Sequence, residues 1–252
     1  MTGSIDSHVD DDGVARITIN RPEKRNALTH ALMQALGDAV LAAEEDGAVR
    51  AILVGSPGPV FCAGADLGNL ADSPPDADRD PGHRALILLA TARKPLVAAV
   101  QGAAVGMGAT MLLHFDAVYA APEASLRMPF VELGLTPEAG ATFLLPARIG
   151  HVAAARLMLL AEPVPAVDAL RIGLFTAVVA ADELAEAALG AARRLAAMPP
   201  IALVRTKAMM RWPDLEAHMD AEQAVFRALL SGREFIEGVA ARQARLATKE
   251  GR

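Results

Sequence analysis

The sequence predicts an α/β fold, and three observations predict it. Ala51–Gly55 is a short, continuous apolar run without alternation, the pattern of a strand covered on both faces. From Thr29 onward, Leu32, Leu36, Ala39, Val40 and Ala43 recur at helical spacing. Strand-like and helix-like segments then alternate through the first half of the chain as β-α-β-loop-α-β-α-β.

Val14–Asn20 alternates apolar and polar residues, the period of a half-buried strand. Residues 21–26 (RPEKRN) form a proline-broken basic loop. Thr29 can cap a helix running to about Asp46. The strand 51–55 ends in the turn-rich residues 56–59. Residues 71–82 (ADSPPDADRDPG) have no apolar period and are expected to be mobile, as a surface loop or as a flap over a site. A helix over 83–93, a strand over 96–101, a glycine turn leading into a helix, and a strand over 117–120 follow. The uncharged run 95–115 is long enough to span a membrane. Pro95, Gln101, Gly102, Gly106 and Gly108 interrupt it, so it reads as buried strand, turn and buried helix. From Pro137 helices dominate, with one late strand at Val178-Val179. Helices run over about 183–198 and from Pro200 to the end, punctuated by Trp212-Pro213 and Ser231-Gly232.

Composition narrows the function. The 252 residues make one large domain or two small ones and can bury a core without disulfide or metal. Lys+Arg 24 against Asp+Glu 30 gives a net charge of −6, which argues against a general nucleic-acid binder. One cysteine, Cys62, excludes an internal disulfide, and six scattered histidines show no HxxxH or HExxH spacing, so no metal site is expected. The opening MTGSIDSHVDDDG is polar and acidic, unlike a signal peptide, and the expectation is a soluble cytoplasmic protein with no membrane partner.

Three segments could carry chemistry. In residues 60–67 (VFCAGADL) small residues let backbone N–H groups face a pocket, and Asp66 would cap a short helix; a plain tight turn is the other reading. Residues 101–110 (QGAAVGMGAT) run from strand through a glycine turn to a helix start, with neither GxGxxG nor GK[ST], which disfavours nucleotide binding; close strand–helix packing also explains the glycines. Glu138 opens a helix among small and apolar residues. It is either ordinary dipole compensation or a carboxylate whose apolar surroundings make it a base.

Together these segments resemble the crotonase (enoyl-CoA hydratase/isomerase) superfamily. The matching stretches are RPEKRNAL at 21–28, FCAGADL at 61–67, QGAAVGMG at 101–108 and PF…LGL.PEAG at 129–140. LPARIG at 145–150, AL..GL...VV at 169–179 and EGV at 237–239 continue the match in order. The resemblance implies a spiral of ββα units over residues 1–198, and a helical region over 199–252 that builds trimers or dimers of trimers.

It also implies an acyl-CoA thioester as partner, with no cofactor beyond that CoA. The thioester oxygen would sit in an oxyanion hole made by the backbone N–H groups of Ala63 and Met107. Two such donors stabilise the enolate formed when a C2 proton leaves, at about 3–4 kcal/mol each. The family usually has glycine where Met107 stands, but the donor is backbone. Arg21, Lys24 and Arg25 fall where the family places the CoA phosphates and adenine, with Ala27, Ala65, Asp66, Leu67 and Gly106 around the substrate. Arg245 would reach a neighbouring subunit's CoA, although Arg242 replaces the usual aromatic after EGV.A. Cys62, next to the hole, either packs or is sensitive to alkylation.

The two glutamates of the hydratases correspond to Thr110 and Phe130, neither of which moves a proton near neutrality. Both would instead line the pocket. Glu138 occupies the place where the Δ3,Δ2-enoyl-CoA isomerase branch carries its single catalytic carboxylate. The implied activity is therefore transfer of a 3-enoyl-CoA double bond to the 2-position. The alternatives are weak hydration or another acyl-CoA reaction using Glu138 or Glu132, and a non-catalytic acyl-CoA-binding scaffold.

Overall fold

The computed structural model describes residues 3–72 and 80–250, with the side chains of residues 243 and 245–250 outside that description. The expected loop or flap over 71–82 therefore lies mostly outside the described residues. In chain order the strands are β1 (Ser4–Val9), β2 (Val14–Asn20), β3 (Ala51–Gly55), β4 (Val60–Cys62), β5 (Leu96–Val100), β6 (Ala103–Val105), β7 (Ala117–Ala120), β8 (Ser125–Arg127), β9 (Val164–Pro165) and β10 (Ala177–Val178). The helices are α1 (His30–Glu45), α2 (Leu67–Asp72), α3 (Pro81–Thr91), α4 (Met107–Thr110), α5 (Ala141–Ile149), α6 (His151–Met158), α7 (Ala166–Arg171), α8 (Leu184–Ala196), α9 (Pro200–Met210), α10 (Leu215–Leu230) and α11 (Arg233–Glu250).

Two sheets result. The larger has the order β1-β2-β3-β5-β7-β10, and the smaller has the order β4-β6-β8-β9. Only β1 in the larger sheet and β9 in the smaller pair antiparallel to their neighbours, among the described residues. The apolar run of β3 is explained by what covers it. Ile52 and Val54 face the main core under α1 and α3, while Ala51 and Leu53 face Ala188, Ala191 and Ala192 of α8. A parallel strand covered on both sides has no polar face to show.

α1 begins as expected, with the Thr29 hydroxyl accepting from the Leu32 N–H at 3.3 Å. α3 starts two residues earlier than the sequence suggests because the Asp80 carboxylate caps it ahead of Pro81. The run 95–115 resolves into β5, a turn at Gly102, β6, α4 and a 3₁₀ turn over Met111–His114. Among the described residues no single helix is long and apolar enough to cross a membrane. The tail breaks into α9, α10 and α11 at the Trp212-Pro213 and Ser231-Gly232 punctuation. β1 was not foreseen: its outer residues are exposed, and an edge strand with a wet face lacks the apolar pattern that marks β3. The small-sheet strands are too short to show any period.

Candidate active site

The chain places its glycine turns side by side. β4 leaves the small sheet at Cys62 and passes through Ala63, Gly64 and Ala65 into α2. β6, next to β4, passes through Gly106 into α4. Gly64 has φ +88°, and a Cβ there would come within 2.6 Å of the Val105 carbonyl oxygen and 3.5 Å of the Met107 nitrogen. Gly108 is equally constrained, since a Cβ would lie 2.5 Å from the Cys62 carbonyl oxygen. Glycine at these two positions lets the turns touch.

Backbone bonding then decides which N–H groups are free. The Ala63 N–H donates to the Arg25 carbonyl at 3.0 Å, and the Asp66 N–H donates to the Leu28 carbonyl at 2.8 Å. The N–H groups of Ala65 and of Met107, at the start of α4, have no acceptor among the described residues. This corrects the expectation for Ala63, whose N–H is consumed by the basic loop. The bridge between Leu28 and Ala65, contributed from a distant part of the chain, sets this register.

These turns form one wall of a cleft of about 700 Å³, counting its open mouth. Ala63, Ala65, Leu67, Gly106 and Met107 line it on this side, and Phe130, Leu133, Leu135 and Glu138 on the other. Glu138 is only 8% exposed. Burial pushes its carboxyl up to about 8, and the nearby charges of Asp80 and Glu222 add to the effect. The turn after it is held by Glu222 of α10, which accepts from the Gly140 N–H at 2.6 Å, the Thr142 N–H at 2.8 Å and the Thr142 hydroxyl at 2.5 Å. Burial also pushes the Glu222 carboxyl upward, and these donors oppose that.

Several expected binding residues lie elsewhere. Thr110 is fully buried, its hydroxyl turned back to the carbonyls of Gly106 and Met107 at 3.3 and 3.4 Å, and it does not line the cleft. Arg21 donates to Asp66 Oδ2 at 2.7 Å and to the Ala27 carbonyl at 3.0 Å, so this guanidinium ties the loop to the start of α2 and is not presented to a phosphate. Burial would raise the Asp66 carboxyl, but the hydrogen bonds and charge of Arg21 outweigh it and hold the group low. Asp66 also caps α2 through the Asn69 N–H at 3.2 Å, as the sequence suggests. Lys24 and Arg25 are exposed on the loop, outside the cleft. The Arg245 side chain lies outside the described residues. Glu132 is paired with Arg127 at 2.6 Å and faces away from the cleft lining. Cys62 is fully buried and its thiol is pushed up to about 12 by desolvation, so the alkylation reading falls.

Sequence reasoning missed four contributors. Asn26, 1% exposed, shapes the basic loop: its Oδ1 accepts from the Arg21 N–H, and its Nδ2 donates to the carbonyls of Pro57 and Val60. His30 from α1, Asp80 from the start of α3 and Arg242 from α11 all line the cleft. The His30 Nε2 is buried there without a partner. A local signal existed for two of them: Asp80 stands ahead of Pro81-Gly82 as a helix cap would, and Arg242 replaces a family aromatic.

Two free main-chain N–H groups beside a buried, unpaired carboxylate in an apolar cleft suit polarising a carbonyl and moving a proton on a neighbouring carbon. Comparison with known proteins identifies the family. The chain is 34% identical to the 1,2-epoxyphenylacetyl-CoA isomerase of Escherichia coli strain K12, over 93% of each chain. It is 33% identical to the 2,3-dehydroadipyl-CoA hydratase of the same strain, over 90% of this chain and 91% of that one. The crystal structure of an enoyl-CoA hydratase/isomerase from Pseudoalteromonas atlantica T6c superposes with a TM-score of 0.90 at 35% identity, covering 96% of this chain and 97% of that one. The enoyl-CoA hydratase/isomerase model matches residues 10–247, so nearly the whole fold and every cleft residue described above lie inside the match, and the chain belongs to that crotonase family.

Proposed function

We propose that this acyl-CoA enzyme moves the double bond of a 3-enoyl-CoA to the 2-position. The observation that carries the reading is Glu138: buried, without a hydrogen-bond partner among the described residues, and holding a raised carboxyl. Phe130 and the turned-away Thr110 stand at the positions that, by the resemblance, correspond to the two glutamates of a hydratase. Relatives with nearly equal identity are named isomerase and hydratase, so the residues must decide.

In the proposed reaction the thioester oxygen takes the N–H groups of Ala65 and Met107. Glu138 removes a C2 proton, and the electron pair spreads into a dienolate whose negative oxygen those donors hold. The same carboxyl returns the proton at C4, giving the conjugated thioester with no change in composition. Exclusion of water from the apolar cleft keeps Glu138 basic and protects the intermediate. Lys24, Arg25 and Arg245 would supply the CoA phosphates with cations, and the helical region 199–252 would assemble the trimer. No cofactor beyond the CoA of the substrate is required.

The test is to follow conjugated thioester formation from a 3-enoyl-CoA with wild type and Glu138→Gln. Loss of about 10²–10⁴-fold in kcat is expected for a positioned acid–base group. Hydration of a 2-enoyl-CoA at full rate in the variant would favour a hydratase using other groups. Tight acyl-CoA binding without turnover on any enoyl thioester would favour a scaffold.

A further inference from the structure

Glu138 does not stand alone in its cleft. Asp80 lines the same space, at the N-cap of α3. Its Oδ1 accepts from the N–H groups of Gly82 at 2.8 Å and His83 at 3.1 Å, and its Oδ2 accepts from Gln223 Nε2 at 2.5 Å. Three N–H donors thus converge on this one side chain and hold it in place. Gln223 is 4% exposed and its Oε1 has no partner, so the buried amide is committed to donating toward Asp80.

The neighbour of Gln223 on α10 is Glu222, which grips the turn following Glu138 through Gly140 and Thr142. Two consecutive residues of one helix therefore fix both segments from which the cleft's carboxylates arise. Among the described residues, the charged and titratable groups around Glu138 are Asp80 at the start of α3, Glu222 on α10, His30 on α1 and Arg242 on α11. His114 lies behind Ala139.

We propose that Asp80 is a positioning residue acting through Glu138: clamped by Gln223 and by the first turn of its own helix, it holds a second carboxyl group in the cleft that Glu138 lines, and so tunes Glu138 as a base. Burial raises the Glu138 carboxyl, and the nearby charge of Asp80 adds to it. The kinetic half of the inference rests on the isomerase reading; the protonation half does not.

The experiment compares wild type with Asp80→Asn and Asp80→Ser. Both variants remove the charge while keeping a strong helix cap, so folding is preserved. Infrared titration of the protonated carboxyl band, assigned with Glu138→Gln, reads Glu138 without substrate. Its midpoint should fall by about one pH unit in both variants. With 3-enoyl-CoA, both should run roughly three- to tenfold faster at pH 6, where more base is ionised, and slower on the alkaline plateau, where the base is weaker. An unmoved midpoint in both variants overturns the role of Asp80. A midpoint that moves while wild type turns over no 3-enoyl-CoA supports Asp80 and overturns the isomerase reading alone.

Discussion

A carboxyl that keeps its proton to about pH 8 makes two processes depend on pH in opposite ways. Proton abstraction needs the ionised form, so kcat/KM for the 3-enoyl-CoA should rise through about pH 8 and level above it. Folding runs the other way. The folded state binds this proton more tightly than the unfolded chain, whose Glu titrates near 4.5. Its contribution is therefore complete below 4.5 and is lost as pH rises through 8. Glu138→Gln should consequently be more stable than wild type at pH 9, with a gain in melting temperature of about 2–4 °C per kcal/mol, and the gain should vanish near pH 4; calorimetry at the two pH values checks it. For the oxyanion, replacing the Ala65 amide by a backbone ester should cost about 10²–10³ in kcat. The same change at residue 63 should act through the Arg25 loop instead. The local motif was enough to pick out Glu138, Met107 and Phe130, which the fold brings to one cleft. The choice of Ala65 over Ala63 was not legible, because it is fixed by the pairing of Leu28, far away in sequence.

Secondary-structure elements were legible in proportion to how completely they are buried. β3 and β5 announced themselves, and α1 carried both its cap and its stripe. β1, β6, β8 and β9 did not, since short or half-wet strands have no distinguishing period. The two-sided burial of β3 makes it a sensitive position: Ile52→Ala should cost about 2–5 kcal/mol in urea unfolding, as for other core truncations. α4 makes a different kind of demand. Gly108 rests on the Cys62 backbone, so Gly108→Ala must push α4 away from β4 and carry the Met107 N–H with it. Such a variant should fold yet lose kcat against a 3-enoyl-CoA, with binding of the CoA portion kept.

At the scale of the whole molecule, the cleft is assembled from both ends of the chain. His30 comes from α1 and Arg242 from α11, a convergence that no window of sequence contains. α11 reaches the site by packing on the 3₁₀ turn after Phe130, where Gly238 meets the Leu133 backbone and a Cβ would lie 2.9 Å from the Leu133 Cα. The surface also leaves large apolar side chains uncovered: Val152 is 83% exposed, Ile201 78%, Met209 87% and Met210 75%. Three of these, Ile201, Met209 and Met210, belong to α9 in the region proposed to build the trimer, and light scattering should give a mass that Met209→Lys with Met210→Lys lowers toward one chain.

The donors proposed for the thioester oxygen belong to the main chain, and heredity treats main chain and side chain differently. A point mutation of Ala65 or Met107 to any residue but proline leaves the N–H in place, so the proposed oxyanion donors can persist through sequence drift. What happens to that enolate rests on a few replaceable groups, Glu138, Phe130 and Asp80 among them. If the proposed donors act as described, exchanging only side chains around them would redirect the intermediate to another reaction.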